Sequence, residues 1–308
     1  MQRSILVIRL GALGDLLLAR DVFHSIRVHH PHDRIVFLTR TQFAGLAKKM
    51  PWFDEVWADP SPKFWQVNQW MSLARRLRGG GFARVYDIQC NDRTGFYFRL
   101  LGGKAPEWVG TARGCSHPRP RLTGEPIAAD ELWFGMLAVA GIQRAGNADM
   151  SWLDGSVDQF GLPPKLVVLV PGCAPHRLYK RWPPEYYAEL ALHLTKQGFG
   201  VAVVGTGQDR AAVEVITRAS PSVINLAERT DFGQLAAVGR KALAIVGNDT
   251  GPMHVMAAVG AQSLILMSGK SHPFVTLPEA QNVRRLQVNS LAELSVEQVL
   301  KAMPLPVH

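Results

Sequence analysis

Short apolar runs alternate with longer amphipathic stretches along the whole chain. Residues 242–246 are apolar without a break, which is typical of a parallel strand covered on both faces. Thr250 can then cap a helix that begins with Gly251. Open α/β sheets bind ligands at the carboxyl ends of their strands, and the start of a helix attracts anions, so this turn is a candidate phosphate site. An ordinary capped turn with His254 facing the core explains the same pattern.

The alternation predicts two series of βα units. In the first series we predict strands at 4–9, 34–38, 55–57 and 84–88 and helices at 16–29, 65–78, 91–101 and 129–140. The second series begins with a strand at 166–170. Further strands, each leading into a loop and a helix start, lie within 200–210, 222–228, 242–260 and 263–273, and a final helix is predicted at 291–303. This order predicts an α/β fold of two doubly wound, Rossmann-type domains that face each other across a ligand cleft.

The boundary between the two series lies in residues 141–164, which carry few helix or strand signals and two prolines. We therefore place an N-terminal domain at 1–150, a linker at 151–164 and a C-terminal domain at 165–308. The last helix is an element that could pack back on the first domain.

Composition restricts the class of protein. The chain has 308 residues, of which 47% are hydrophobic and 19% charged, as in soluble globular enzymes. We expect a cytosolic protein, because no apolar run is long enough to span a bilayer and the chain starts directly with a strand. The three cysteines are widely spaced, so they predict neither a disulfide framework nor a zinc site. The histidine cluster at 29–32 lacks nearby Cys or carboxylate ligands at the spacing of a metal site. The cysteines are Cys90, Cys115 and Cys173, and the cluster holds His29, His30 and His32.

The formal net charge of +9 is concentrated in one stretch. Residues 61–125 hold eleven Lys or Arg against four acids, a net charge of +7. Such a field favours nucleic acid, an acidic membrane surface or a phosphorylated substrate. The cations at 75–78 suit the end of a helix, whereas Arg113, Arg119 and Arg121 lie in a Gly- and Pro-punctuated loop and could reach a ligand.

The first predicted strand leads into a Gly-x-x-Gly-Asp turn formed by Gly11, Gly14 and Asp15. The two glycines allow a tight turn and a close approach of the backbone. The spacing is not that of a dinucleotide fingerprint, so a nicotinamide-dependent dehydrogenase is not favoured. Asp15 is either a helix N-cap or a general base at the carboxyl end of a strand, and both interpretations stay open at this point.

Five motifs, in their order and separation, resemble glycosyltransferase family nine, the ADP-heptose:lipopolysaccharide heptosyltransferases. They are ILVIRLGALGD, PGCAPHRLYKRWPPEYYAEL, VVGTGQD, VGNDTGPMHVMAAVG and SGKSHP. The resemblance implies a GT-B fold, with the acceptor bound mainly by the first domain and the nucleotide sugar mainly by the second. It also implies inverting transfer of a heptose from ADP-heptose to the lipopolysaccharide inner core, at the cytoplasmic face of the inner membrane.

The resemblance assigns roles to particular residues. Asp15 matches the proposed base, with Gly14 beside it in the acceptor region. Lys180 would neutralise the diphosphate, while Thr250 and Gly251 would hold it through helix-start amides. The remaining donor positions are Asp249, which contacts the sugar or orients the loop, His254 beside that site, and Thr230 and Asp209 near adenine and ribose.

No cofactor or bound metal is expected, because the chain lacks the D-x-D carboxylate pair that bridges a metal to a diphosphate. The expected partners are the nucleotide-sugar donor and an anionic lipopolysaccharide precursor at the membrane surface, not nucleic acid, and Arg113, Arg119 and Arg121 suit that acceptor. Residues 269–273 depart from the family pattern and place Lys270 near the donor loop. Two alternatives are a GT-B enzyme with another nucleotide sugar or acceptor, and a non-catalytic basic protein that binds polyanions.

Overall fold

The computed structural model describes residues 2–102, 106–120, 128–174, 176–271 and 281–305. The chain divides into two units, Met1–Trp152 and Leu153–His308. Each unit contains a six-stranded parallel sheet, with helices between most of the successive strands. Among the described helices, none combines the length and the apolar character needed to cross a bilayer.

The first unit follows the predicted βα order. Its strands are β1 (Ser4–Ile8), β2 (Arg34–Arg40), β3 (Glu55–Asp59), β4 (Phe82–Asp87), β5 (Glu107–Gly110) and β6 (His117–Pro118). Its helices are α1 (Leu13–Leu18), α2 (Arg20–His29), α3 (Thr41–Ala47), α4 (Val67–Gly79), α5 (Asp92–Leu101) and α6 (Ala129–Val139).

The first sheet has the order β3-β2-β1-β4-β5-β6. Its central strand β1 pairs in parallel with β2 and β4, so that Leu6 lies beside Val36 on one side and Val85 on the other. All three side chains are fully buried, as expected of a sheet covered on both faces. The strand order reverses between β1 and β4, and ligands bind at such a switch point in doubly wound folds.

The second unit repeats this plan. Its strands are β7 (Leu166–Val170), β8 (Gly200–Val203), β9 (Ile224–Asn225), β10 (Ala242–Asn248), β11 (Ser263–Ser268) and β12 (Val283–Val288). Its helices are α7 (Pro184–Lys196), α8 (Arg210–Ala219), α9 (Phe232–Lys241), α10 (Gly251–Ala258) and α11 (Val296–Ala302). The sheet order is β12-β11-β10-β7-β8-β9, with its switch point between β7 and β10. The two sheets together confirm the predicted α/β fold class.

Some elements differ from the sequence prediction. The helix predicted at 16–29 is two helices, because the chain breaks its helical path at Ala19. The predicted loop around residue 117 contains the two-residue strand β6, and β12 was not predicted at all. In the final helix, Val296 and Val299 lie in the hydrophobic core of the second unit. Residues 151–164 include a short 3-10 helix at Asp158–Phe160.

Candidate functional site

The switch point of the second sheet gathers residues from two loops, one after β7 and one after β10. Lys180 forms a salt bridge with Oδ2 of Asp249, and Nε2 of His254 lies 3.1 Å from Oδ1 of the same carboxylate. These side chains are 12%, 7% and 8% exposed, respectively. The structure therefore brings together three of the residues that the sequence predicted for the donor site.

The carboxylate of Asp249 stays ionised within this cluster. Burial opposes its ionisation, but the hydrogen bond and charge of His254 and the ammonium group of Lys180 outweigh burial and hold the pKa of Asp249 below its usual range. In the neutral ring, an Nε2–H that donates to Asp249 leaves Nδ1 of His254 as an acceptor. That Nδ1 is buried and has no hydrogen-bond partner among the described residues.

Thr250 occupies the predicted N-cap position of α10, with extended backbone angles. Its side chain, however, makes no capping hydrogen bond, and its buried Oγ1 has no partner within the described part of the chain. The predicted side-chain cap was therefore wrong. Among the described residues, the amides of Gly251 and Met253 have no intrahelical acceptor, whereas Pro252 has no N–H and the His254 amide donates to the Thr250 carbonyl. Together with the Thr250 hydroxyl, these two amides form a set of donors that suits an anion.

The two loops are joined by Asn248, the last residue of β10, which is fully buried. Its Oδ1 accepts hydrogen bonds from the Trp182 amide and the Tyr187 hydroxyl, both at 3.0 Å. Its Nδ2 donates to the carbonyl oxygens of Pro171 at 2.8 Å and Gly172 at 3.2 Å. Asn248 thus holds the loop that carries Lys180 against the strand that carries Asp249.

We expect Asn248→Ala to lower the free energy of unfolding by about 2 kcal/mol, because it leaves the buried Trp182 amide without its acceptor and removes one of the two acceptors of the Tyr187 hydroxyl, which keeps the Val170 carbonyl. Urea unfolding of both proteins measures this difference. Asn147→Ala, at an exposed position, is the matched control and should change stability by less than about 0.5 kcal/mol. Equal stability of the two variants would show that the network does not hold the loops together.

Asp209 and Thr230 are the residues predicted to lie near adenine and ribose. Asp209 is buried, and its Oδ2 accepts hydrogen bonds from the amide and the hydroxyl of Thr206, both at 2.9 Å. Its Oδ1 lies 3.9 Å from Nη2 of Arg181. Its carboxylate packs on Gly172, where an added Cβ atom would lie 2.5 Å from Oδ2 of Asp209. Asp209 therefore contacts the loop that carries Lys180, although it lies in the short 3-10 helix Gly207–Asp209 after β8. Thr230 is half-buried in the loop before α9.

The switch point of the first sheet carries a second polar cluster. Asp15 lies in the first turn of α1, where its Oδ2 accepts a hydrogen bond from the Ala12 amide at 3.0 Å and pairs with Arg9 Nη2 at 2.7 Å. The N-cap residue is Ala12, so the prediction of Asp15 as N-cap was wrong by position. Within the described residues, no hydrogen bond reaches Oδ1 of Asp15, whose side chain is 29% exposed.

Arg9 is held in place from several sides. Its Nη1 donates to the Ile88 carbonyl at 2.8 Å, and its guanidinium lies 4.9 Å from the ring centroid of Trp133. Burial lowers the pKa of Arg9, while the carboxylate of Asp15 opposes that change. Arg9 was not among the predicted site residues, although a charge directly after the apolar run of β1 was a usable signal. Asn248 was missed because an asparagine at a strand end is an ordinary turn residue.

Asp87 at the end of β4 is a further buried carboxylate beside Arg9. Burial raises its pKa to about 6, against hydrogen bonds that include the Cys90 amide at 3.0 Å. Its Oδ2 has no hydrogen-bond partner among the described residues.

A pH dependence of stability follows from Asp87. A carboxyl group with a raised native pKa binds its proton more tightly in the folded protein, so stability is lost as pH rises from about 4 to about 6. Over this range, we expect the free energy of unfolding of the wild type to fall by about 2–3 kcal/mol relative to Asp87→Asn. Urea titrations of both proteins at several pH values measure the difference, and parallel curves would contradict the assignment.

The residues predicted to bind the acceptor are only partly brought together. Gly14 lies in the first turn of α1 next to Asp15. Arg113 and Arg119 are exposed, and Arg119 follows the edge strand β6, three strand positions from β1. Neighbouring strands lie about 4.8 Å apart, so this edge is about 14 Å from β1 across the sheet. Arg121 lies outside the described residues.

Other predicted features have simple local environments. Lys270 is exposed after β11. His30 Nδ1 lies 2.8 Å from Asp33 and its Nε2 lies 2.8 Å from the Tyr86 hydroxyl, so both ring nitrogens have partners. In the described ranges, no group of three or more His, Cys, Asp or Glu side chains is arranged to hold a metal ion.

Comparison of this chain with known proteins identifies its family. Residues 145–303 match the family described as glycosyltransferase family 9 (heptosyltransferase). Lipopolysaccharide heptosyltransferase 2 of Salmonella typhimurium is 36% identical over 92% of this chain and 88% of its own length.

Two solved structures share the fold. The Escherichia coli ADP-heptose lipopolysaccharide heptosyltransferase II is 23% identical, with a TM-score of 0.75 over 98% of this chain and 97% of that one. An Escherichia coli heptosyltransferase with ADP-2-deoxy-2-fluoro heptose is 17% identical, with a TM-score of 0.76 over 97% of this chain and 98% of that one. The α/β architecture is therefore GT-B-like, and the chain belongs to glycosyltransferase family 9 and is a glycosyltransferase of the heptosyltransferase type.

Proposed function

We propose that this enzyme transfers a heptose, with inversion, from ADP-heptose to a hydroxyl group of the lipopolysaccharide inner core, on Kdo-lipid A or a heptosyl acceptor. The observation that carries the proposal is the buried cluster of Lys180, Asp249 and His254 at the start of α10. An ammonium group, a free hydroxyl and helix-start amides at one switch point suit a sugar diphosphate. The Escherichia coli heptosyltransferase structure with ADP-2-deoxy-2-fluoro heptose supports adenine as the nucleobase of the donor.

The donor diphosphate is proposed to lie against Lys180, Thr250 and Gly251. Its negative charge grows as the bond between the sugar C1 and the phosphate oxygen breaks, and fixed positive groups stabilise that change. Asp249 fixes the position of Lys180, while His254 holds Asp249 from the other side. Asp209 and Thr230 are proposed to contact ribose and adenine.

The acceptor hydroxyl is proposed to lose its proton to Asp15 as its oxygen forms the new bond to C1. Arg9 and the Ala12 amide both bind Oδ2 of Asp15, so Oδ1 is the oxygen available to take the proton. Arg9 also holds the carboxylate of Asp15 in a fixed position, which a base requires. ADP leaves from the opposite side of the sugar ring, which accounts for inversion.

The acceptor is proposed to be an anionic lipopolysaccharide precursor at the cytoplasmic face of the inner membrane. Gly14, Arg113, Arg119 and Arg121 are the proposed acceptor contacts, since Kdo carboxylates and lipid A phosphates attract arginine. Lys270 remains exposed near the donor loops, with no role assigned to it.

The reaction is proposed to need no metal. The chain has no D-x-D pair, and Lys180 with the helix-start amides supplies positive charge for the diphosphate. We expect transfer in EDTA to run at the rate measured without it. A rate that falls in EDTA and returns when Mg²⁺ is added would contradict this expectation.

A calorimetric titration of the wild-type protein with ADP-heptose, ADP and UDP-sugars tests the donor, followed by a transfer assay with Kdo-lipid A. Binding that is selective for adenine nucleotides, with heptose appearing on the acceptor and ADP released, supports the proposal. Selective binding of UDP-sugars would keep the fold and change the donor. Absence of nucleotide-sugar binding, with salt-sensitive binding of polyanions, would favour a non-catalytic protein.

A further inference from the structure

Five large apolar side chains are exposed together on the first unit. Phe64 is 84% exposed, Trp65 60%, Val67 60%, Met71 51% and Phe96 41%. We call these residues the aromatic patch. Val67 and Met71 lie four residues apart on α4 and share one helix face.

The patch surrounds an open hollow of about 640 Å³, whose lining includes Phe64, Val67 and Phe96. A neighbouring hollow of about 780 Å³ shares Val67 and continues along α4 to Met71. The apolar surface is therefore continuous rather than a set of scattered side chains. Contiguous exposed apolar surface usually marks an interaction site.

The patch lies near the carboxyl ends of the strands of the first sheet, where Asp15 also lies. Residues 60–66 follow the carboxyl end of β3, and α5, which carries Phe96, follows the carboxyl end of β4. Asp15 follows the carboxyl end of β1. Since the strands are parallel, their carboxyl ends all lie on the same side of the sheet.

Cations surround the aromatic patch. Lys63 Nζ lies 5.2 Å from the ring centroid of Trp65, while Arg75 and Arg78 line the second hollow. Arg93 lines the first hollow together with one acid, Asp92. The sequence has no Asp or Glu in residues 60–86, so positive charge dominates this surface.

We infer that the aromatic patch docks on a bilayer of anionic phospholipids. Trp and Phe favour the boundary between head groups and acyl chains, and lysines or arginines around them attract anionic lipids. Predominantly positive charge around an apolar centre fits an anionic lipid surface better than a protein partner, whose interface rim normally mixes both signs. The inference rests on the proposed lipid-linked acceptor and deepens it, because it names the surface that brings the carboxyl edge of this sheet to the membrane.

Flotation of the full-length protein with vesicles tests this docking without any activity measurement. We expect binding to vesicles of equal parts phosphatidylglycerol and phosphatidylcholine, and binding at least about tenfold weaker to phosphatidylcholine alone. Phe64→Ser combined with Trp65→Ser should weaken partitioning into the anionic vesicles by about tenfold or more. Val28→Ser, at another exposed position of the same unit (53% exposed), is the matched control and should bind as the wild type does.

Thermal unfolding of each variant checks that it remains folded. Wild-type protein that stays unbound with anionic vesicles, or a double variant that binds as the wild type does, would overturn the inference. Binding only to vesicles that contain the acceptor glycolipid would instead make the patch a site for acyl chains of the acceptor, which also overturns it. Failure of the donor titration would contradict the proposed reaction while leaving vesicle binding a separate result.

Discussion

Asp15→Asn is expected to lower kcat for heptosyl transfer by about 10²–10⁴-fold, the usual contribution of a positioned base. The amide oxygen can still accept the hydrogen bond from the Ala12 amide, so the turn should persist. An amide cannot accept a proton at neutral pH, however, and the acceptor hydroxyl then has to lose its proton without help. Transfer rates at saturating donor and acceptor measure the change.

The expected loss is specific to the chemical step. ADP-heptose affinity should stay within about threefold of the wild type, because Asp15 belongs to the first unit while the proposed donor residues belong to the second. Asp130→Asn, in the first turn of α6, removes a matched charge and should leave kcat unchanged. If Asp15→Asn kept kcat within a factor of three, another group would have to serve as the base.

The hydrophobic pattern was sufficient to predict the strands that define both switch points. The run from Ala242 onward has no polar interruption, so its burial and the turn that follows it could be read directly. The break at Ala19 could not, because alanine is the best helix former and the sequence places neither Gly nor Pro there. The edge strand β12 was also missed, since its arginines obscure the apolar positions.

The sequence predicted candidate residues for the site, but it did not predict which side chains they contact. The NDTGPMH motif located Asp249 and His254, which contact each other, but Lys180, the second partner of the Asp249 carboxylate, comes from the loop after β7, far away in sequence. Thr250 shows the opposite case, because local preference predicts a cap and the folded chain leaves its hydroxyl unused. A polar group without a partner among the described residues, placed just after a strand, is where a departure from local preference is expected to mark a functional site.

Lys180→Met is expected to raise the Kd for ADP-heptose by about 10²–10³-fold, as removal of a buried charge partner does. Methionine keeps much of the side-chain volume, so the change chiefly removes the ammonium group. Calorimetric titration measures the effect on binding. Lys196→Met, at the exposed end of α7, is the matched control and should bind ADP-heptose as the wild type does.

A double variant separates the two possible causes of that loss. Lys180→Met removes the ammonium group beside the buried Asp249 while His254 still contacts that carboxylate, and this weakens both the fold and the affinity for an anion. Adding Asp249→Asn removes the negative charge that Lys180 no longer balances and should restore part of the stability measured by urea unfolding. If Lys180 contacts the diphosphate, the double variant still binds ADP-heptose weakly. Recovery of wild-type affinity in the double variant would instead show that Lys180 serves only to neutralise Asp249, and that helix-start amides alone hold the diphosphate.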